Sequence, residues 1–173
     1  MPESNKAYLL LGSNIEPRFD FMKEALELIG ETVGRVVRIS SVYESEPWGF
    51  QSKVHFLNCV VLVESRLMAE EILRQILNIE KRLGRVRRKG VGYASRKIDI
   101  DMLYFNEDVI DMPDLQVPHP RLHERRFTLM PLVEIVPELV HPKLRKTNRE
   151  LLEQLDDLSE IMIYKGTLLG NEV

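Results

Sequence analysis

The chain has 173 residues, 44% hydrophobic and 29% charged, with a net charge of −3. This composition excludes a disordered chain and fits one globular domain over residues 1–173. An acidic balance argues against a nucleic-acid coat, the single cysteine, Cys59, rules out an internal disulfide, and the apolar run 7–11 is too short for a signal segment or membrane span. The cytoplasm is therefore the expected location.

In chain order, residues 7–11 read as a short buried strand running into Gly12-Ser13-Asn14, small residues that turn the backbone tightly. Pro17 opens a helix with Met22, Ala25, Leu26 and Ile29 on one face, ended by Gly30 or Gly34. Residues 35–43 read as a second strand. A loop follows with Pro47, Trp48, Gly49, Phe50 and Gln51, whose two aromatics either fold over a ligand or tuck onto the core. Residues 54–64 form a third strand, with Leu57, Cys59, Val61 and Val63 on one parity and Phe56, Asn58, Val60 and Leu62 on the other. Asn58 is a carboxamide among large apolar neighbours. It either ties down a loop or reads the edge of a polar ligand, and Phe56 on the same face favours a flat heterocycle.

Residues 70–83 carry the strongest helical stripe, Ile72, Leu73, Ile76, Leu77, Ile79 and Leu83, with Gly84 as C-cap. Glu80 near its end is expected to be solvated or salt-bridged. Between positions 81 and 97 lie Lys81, Arg82, Arg85, Arg87, Arg88, Lys89, Arg96 and Lys97 with no acid among them. Such a stretch in an acidic chain points to a polyanionic ligand held at one place.

The basic stretch delivers the chain into Lys97-Ile98-Asp99-Ile100-Asp101-Met102, a strict alternation. A period of two puts Ile98, Ile100 and Met102 toward a core and both aspartates on the opposite face. Two carboxylates side by side repel, and a hard divalent cation satisfies both. Mg²⁺ suits them, because it binds through one or two carboxylates plus phosphate oxygens. The alternative is a solvated face with two incidental acids.

Val109 and Ile110 look like the return arm of a hairpin, and residues 113–120 are extended and broken by proline. His119 and His123 lack companions at zinc spacing, so hydrogen bonding to a phosphate or a loop is expected of them instead. A helical stretch begins at His123 and ends near Pro137; residues 148–155 make a further short helix and residues 161–164 a last strand. The order strand, helix, strand, strand, helix, strand predicts a ferredoxin-like α+β sandwich. Its sheet is mainly antiparallel, with helices packed on one side and a C-terminal helical extension.

Several stretches together resemble the 6-hydroxymethyl-7,8-dihydropterin pyrophosphokinases of folate biosynthesis. They are Gly12-Ser13-Asn14, Ser41-Val42-Tyr43 leading to Pro47, Phe56-Leu57-Asn58, Tyr93-Ala94-Ser95-Arg96-Lys97-Ile98-Asp99-Ile100-Asp101 and the run from Val117 to Phe127. The resemblance covers roughly residues 8 to 142. It implies transfer of the β,γ-diphosphate of ATP to the hydroxymethyl group of the pterin, with release of AMP. It implies that Asp99 and Asp101 bind two Mg²⁺ ions and act with Arg85 and Arg96 in catalysis. Phe56 and Phe127 sandwich the pterin, Asn58 reads its edge, and Ser45 and Trp48 contribute to the same site. Glu80, Arg85, Arg87, Arg96, His119 and Arg125 lie toward ATP.

The chain departs from the family's pattern before the aspartate strand. Many members have Trp-Gly-Pro-Arg where Tyr93-Ala94-Ser95-Arg96 stands here, and a basic residue is common at Gly92. The expected partners are small molecules, with no nucleic acid and no membrane, in a monomer or weak homodimer. Two other classes use similar parts: a two-metal nucleotidyltransferase, which releases diphosphate rather than AMP, and a non-catalytic ferredoxin-like module that binds nucleotide or RNA without Mg²⁺.

Overall fold

A computed structural model of the chain describes residues 3–46, 54–84, 97–157, 159–165 and 168. The elements in order are β1 (Asn5–Ser13), α1 (Arg18–Thr32), β2 (Arg35–Ile39), β3 (Val42–Ser45), β4 (Phe56–Ser65), α2 (Ala69–Arg82) and β5 (Asp99–Phe105). There follow β6 (Ile110–Met112), β7 (Leu115–Val117), a 3-10 turn (Leu122–Glu124), α3 (Arg126–Ile135), α4 (Asn148–Glu153) and β8 (Ile161–Lys165).

Six strands form one antiparallel sheet in the order β5-β1-β4-β3-β8, with β2 also pairing to β4. Its two central strands alternate as expected, and each parity feeds a different core. Leu9, Leu11, Cys59 and Val61 meet Met22, Ala25 and Ile29 of α1 and Ile72, Ile76 and Ile79 of α2. Tyr8, Leu10, Val60 and Leu62 meet Leu129 and Leu132 of α3 and Leu151 of α4. The C-terminal extension thus covers the face of the sheet that α1 and α2 leave open, so helices lie on both sides rather than one. No helix among the described residues is long and apolar enough to cross a membrane.

Two local expectations are corrected and a third is resolved. The strand expected over residues 35–43 is broken into β2 and β3. From Ile39 to Tyr43 four steps are taken while the partner moves three, from Val61 to Asn58. The extra residue is a bulge at Ser40–Ser41, where Ser40 Oγ accepts from the Val60 amide at 2.9 Å and donates to the Ser41 carbonyl at 2.8 Å. Ile110 does not return along the aspartate strand; β6 pairs with β7 in a separate two-stranded sheet. Of the two glycines proposed to end α1, Gly30 lies inside the helix and Gly34 follows it. A Cβ on Gly34 would stand 2.2 Å from the Glu64 carbonyl oxygen, so the close approach of this turn to β4 requires glycine.

β5 also carries a bulge. Tyr8 faces Tyr104 and Leu9 faces Met102, which leaves Leu103 as an extra residue. Leu103 and Tyr104 therefore both enter the second core. Tyr104 then fastens β5 to the C-terminal helices: its hydroxyl donates to Asn148 Oδ1 at 2.7 Å, and Asn148 Nδ2 donates to the Val136 carbonyl at 2.9 Å. Asn148 is fully buried, so removing one partner strands a polar atom. Tyr104→Phe is expected to lower the unfolding free energy by about 1–3 kcal/mol, measured by urea denaturation; an unchanged midpoint would contradict this account.

Candidate active site

Strand register decides which side chains meet. Gly12 of β1 stands between Asp99 of β5 and Asn58 of β4, and Asn58 stands opposite Tyr43 of β3. Directly opposed residues of antiparallel strands share a face, so these four form a row across the sheet. Asp101 follows two residues after Asp99, on the same face and about 6.5 Å along the strand. This face is the one that Tyr8, Leu10 and Val60 present to α3. Both aspartates are partly buried on this face.

Gly12 has a particular role in the row. A Cβ there would sit 2.7 Å from Asn58 Oδ1, so the Asn58 amide lies across bare backbone. With strands about 4.8 Å apart, Asp99 and Asn58 are separated by about 10 Å, and the floor between them is open main chain. The next rung toward the sheet end pairs Ser45 with half-buried Phe56. Ser45 Oγ is buried and has no hydrogen-bond partner among the described residues.

The start of α3 roofs this floor. Arg125 is buried, and its guanidinium carbon lies 5.5 Å from the centroid of the Phe127 ring. Phe127 packs partly into the second core. Further along the helix, Glu134 accepts from the Ser41 amide at 2.8 Å, the Ser41 hydroxyl at 2.6 Å and the Tyr43 hydroxyl at 3.1 Å. Burial, then the Glu134 carboxylate, pushes the Tyr43 phenol up to about 12, which keeps it a neutral donor. α3 is therefore tied to β3, the strand that carries Ser45.

His119 joins the two ends of the site. Its amide donates to the carbonyl of Leu103, the bulged residue, at 2.9 Å. Its Nδ1 accepts from the Arg121 amide at 3.1 Å, so the ring proton resides on Nε2. Burial and the nearby Arg125 charge hold its pKa down at about 4, with Asp99 pulling the other way. Asp99, His119 and Arg125 thus share one electrostatic neighbourhood, in which the imidazole is a neutral donor.

Glu80 is not a solvated acid: it is 2% exposed and accepts from the Ile100 amide at 3.1 Å. β5 is an edge strand, and Ile100 lies between the two aspartates; Glu80 occupies an outward-facing donor that the sheet leaves open. Trp48, Arg85, Arg87 and Arg96 lie outside the described residues.

Of the expected site, the fold brings Asp99, Asp101, Asn58, Phe56 and Ser45 onto one face, with His119, Arg125 and Phe127 beside or above it. Sequence reasoning missed Gly12, Tyr43 and Glu134 as working parts. Gly12 and Tyr43 stood within recognisable motifs, but Glu134 acts through a contact 91 residues away in the chain, for which periodicity holds no signal. Among the described residues no group of three or more His, Cys, Asp or Glu side chains is arranged to hold a metal. The carboxylate pair fits a cation completed by oxygen atoms of a ligand, which is how Mg²⁺ binds phosphates.

Such a surface suits an enzyme that grips a flat polar ring at one end and phosphate groups at the other. The family model described as 7,8-dihydro-6-hydroxymethylpterin-pyrophosphokinase (HPPK) matches residues 8–137, and the chain belongs to this family. A 2-amino-4-hydroxy-6-hydroxymethyldihydropteridine pyrophosphokinase of Aquifex aeolicus is 41% identical over 143 residues, which is 83% of this chain and 88% of that protein. One from Bacillus subtilis is 40% identical over 133 residues, 76% and 78% of the two chains. Among solved structures, an HPPK-DHPS in complex with substrates matches with a TM-score of 0.73 at 15% identity, covering 88% of this chain and 43% of that one. Plasmodium falciparum HPPK-DHPS gives 0.71 at 18% identity, covering 87% and 44%. At these identities the structural matches speak to the fold, and the chain spans less than half the length of those proteins.

Two histidines make a pH prediction. His141, whose Nδ1 accepts from the Lys143 and Leu144 amides at 3.2 and 3.0 Å, is also held down to about 4, first by burial and then by His123 and Lys143. Both His119 and His141 fold in the neutral form, so proton uptake favours the unfolded chain. Their contribution is complete above the ordinary histidine value of 6.5 and declines as pH falls toward 4. Proton NMR is expected to show both rings titrating near pH 4; midpoints at the ordinary value would overturn the neutral assignment.

Proposed function

We propose that this chain is a Mg²⁺-dependent ATP:dihydropterin diphosphotransferase. It transfers the β,γ-diphosphate of ATP to the hydroxymethyl group of 6-hydroxymethyl-7,8-dihydropterin, giving AMP and the pterin diphosphate ester for folate biosynthesis. Family membership supports the reaction. The observation that carries the site is the row Asp99–Gly12–Asn58, with His119 and Arg125 beside its carboxylate end.

Each end of the row has its own task. At the ring end, the Asn58 amide hydrogen-bonds the pterin edge, while Phe56 from the sheet and Phe127 from α3 stack on its two faces. Ser45 and Trp48 complete that end, and the otherwise unpartnered Ser45 hydroxyl is a fitting group for a polar ligand. At the phosphate end, Asp99 and Asp101 would hold two Mg²⁺ ions, which when bound would supply charge neutralisation for the phosphates and a lower pKa for the attacking hydroxyl. A carboxylate oxygen of the pair takes the hydroxyl proton. The Nε2–H of His119 and the guanidinium of Arg125 donate to phosphate oxygens, and Arg85, Arg87 and Arg96 add charge from the basic stretch. Glu80 acts near the nucleotide by holding the backbone between the aspartates. Transfer of this kind rests on positioning and charge neutralisation, so a strong general base is not needed.

The chain acts as a single domain on small molecules in the cytoplasm, as a monomer or weak homodimer. The nucleotidyltransferase and binding-module alternatives are not favoured by the family membership.

Incubation with ATP, Mg²⁺ and the pterin alcohol is expected to yield AMP by chromatography; release of free diphosphate would point to nucleotidyl transfer instead. Asp99→Asn and Asp101→Asn are each expected to lower kcat by about 10²–10³-fold or more with the fold retained, and wild-type turnover in either would remove the mechanism. Phe127→Ala should weaken pterin binding roughly tenfold with little change for ATP. Gly12→Ala, by pushing the Asn58 amide aside, should likewise raise the KM for pterin before that for ATP; equal losses would contradict both placements.

A further inference from the structure

Arg18 opens α1, yet it does nothing for that helix. A cation in the first turn faces the positive end of the helix dipole, and a buried guanidinium is costly unless well paired. Its side chain is only 10% exposed. Nε contacts Glu16 Oε1 at 2.6 Å, while Nη1 donates to Glu44 Oε2 at 2.7 Å and to the His55 carbonyl at 2.9 Å. The guanidinium carbon also lies 5.2 Å from the centroid of the Tyr164 ring on β8. Four segments of chain thus converge on one side chain.

The two partners of Nη1 occupy informative positions. Glu44 immediately precedes Ser45 on β3, and His55 immediately precedes Phe56 on β4. Ser45–Phe56 is the terminal rung of the β3–β4 ladder. Terminal rungs open most easily, and β3 is only four residues long. One guanidinium nitrogen bridges β3 and β4 at this last rung, where Ser45 also pairs with Ile161 of β8 on its other side.

We propose that Arg18 is a positioning residue for the ring end of the active site. From the face opposite the site, it clamps β3 to β4 at the Ser45–Phe56 rung and so fixes the distance of the Phe56 ring from Asn58 and from Phe127. The proposal rests on the reading of Phe56 and Asn58 as pterin contacts. A role in stability alone would affect ATP and pterin alike, whereas the clamp acts on one end of the row.

The test measures pterin affinity with a non-hydrolysable ATP analogue bound, and analogue affinity separately, by titration calorimetry on the full chain. Arg18→Met is expected to weaken pterin binding about tenfold, with analogue affinity within about twofold. Arg18→Lys, which keeps a charge between the carboxylates but loses the fork, should fall between. In the Phe56→Ala background, Arg18→Met should change pterin affinity by less than about twofold, since the group it positions is gone. Additive losses, or equal losses of both ligands, would overturn the clamp. Should Arg18→Met fail to fold, Glu44→Gln removes one side of the bridge and must show the same selectivity for pterin; equal losses there overturn it too. Phe56→Ala and Asn58→Ala run alongside. If neither alters pterin affinity, the ring-end assignment itself is wrong and the clamp falls with it; if both weaken it and Arg18→Met does not, only the clamp is wrong.

Discussion

Two like charges held on one face of an edge strand are the constraint around which this protein is built. At about 6.5 Å apart, two carboxylates repel by about 0.6–2.5 kcal/mol for effective dielectrics between 80 and 20. A loose edge strand would relieve that by twisting the pair apart. Here β5 is gripped along both edges, by β1 on the inside and by the buried Glu80 carboxylate at the Ile100 amide on the outside. The backbone between the aspartates is thereby held in place on both sides.

The sheet's two faces divide the work. One face packs against α1 and α2 through the aliphatic parity of β1 and β4 and serves as the main core. The other packs against α3 and α4 over only part of its area. Where that second core stops, Gly12, Asn58, Phe56 and the aspartates begin. The separation between α3 and the sheet is fixed by side-chain contacts. Glu134 bonded to Ser41 and Tyr43, and Arg38 donating to the Ile135 carbonyl at 2.8 Å, hold it from two sides. A bulge in β5 completes the arrangement, because the carbonyl of its extra residue, Leu103, is the one that receives the His119 amide.

His119 illustrates how a basic neighbourhood retains a neutral donor. Burial disfavours the imidazolium, and the Arg125 charge disfavours it further, so the ring keeps one proton on Nε2 at neutral pH. Charge at that end of the row then comes from guanidiniums, which do not titrate in this range, while the imidazole contributes direction.

Much of this was legible from residue order. Strict alternation at Ile98-Asp99-Ile100-Asp101 established the shared face of the carboxylates, because the side-chain period of a strand is two whatever surrounds it. The same rule paired Phe56 with Asn58, and the aliphatic spacing of residues 70–83 with Gly84 located α2. Contacts between segments far apart in the chain were not legible. Glu80 reads as one more acid on an amphipathic helix; its burial exists only because α2 lies along the open edge of β5. Ser40–Ser41 looks like strand, and its bulge follows from the register of β4 on either side. Arg18 finds Glu44 and the His55 carbonyl 26 and 37 positions away, and Glu134 finds Tyr43 and Ser41 91 and 93 positions away. Local pattern is set by backbone geometry, which each residue carries with it. The partner of a buried charge is set by which segments the fold brings together, and that is decided only when the sheet and both helical layers are in place.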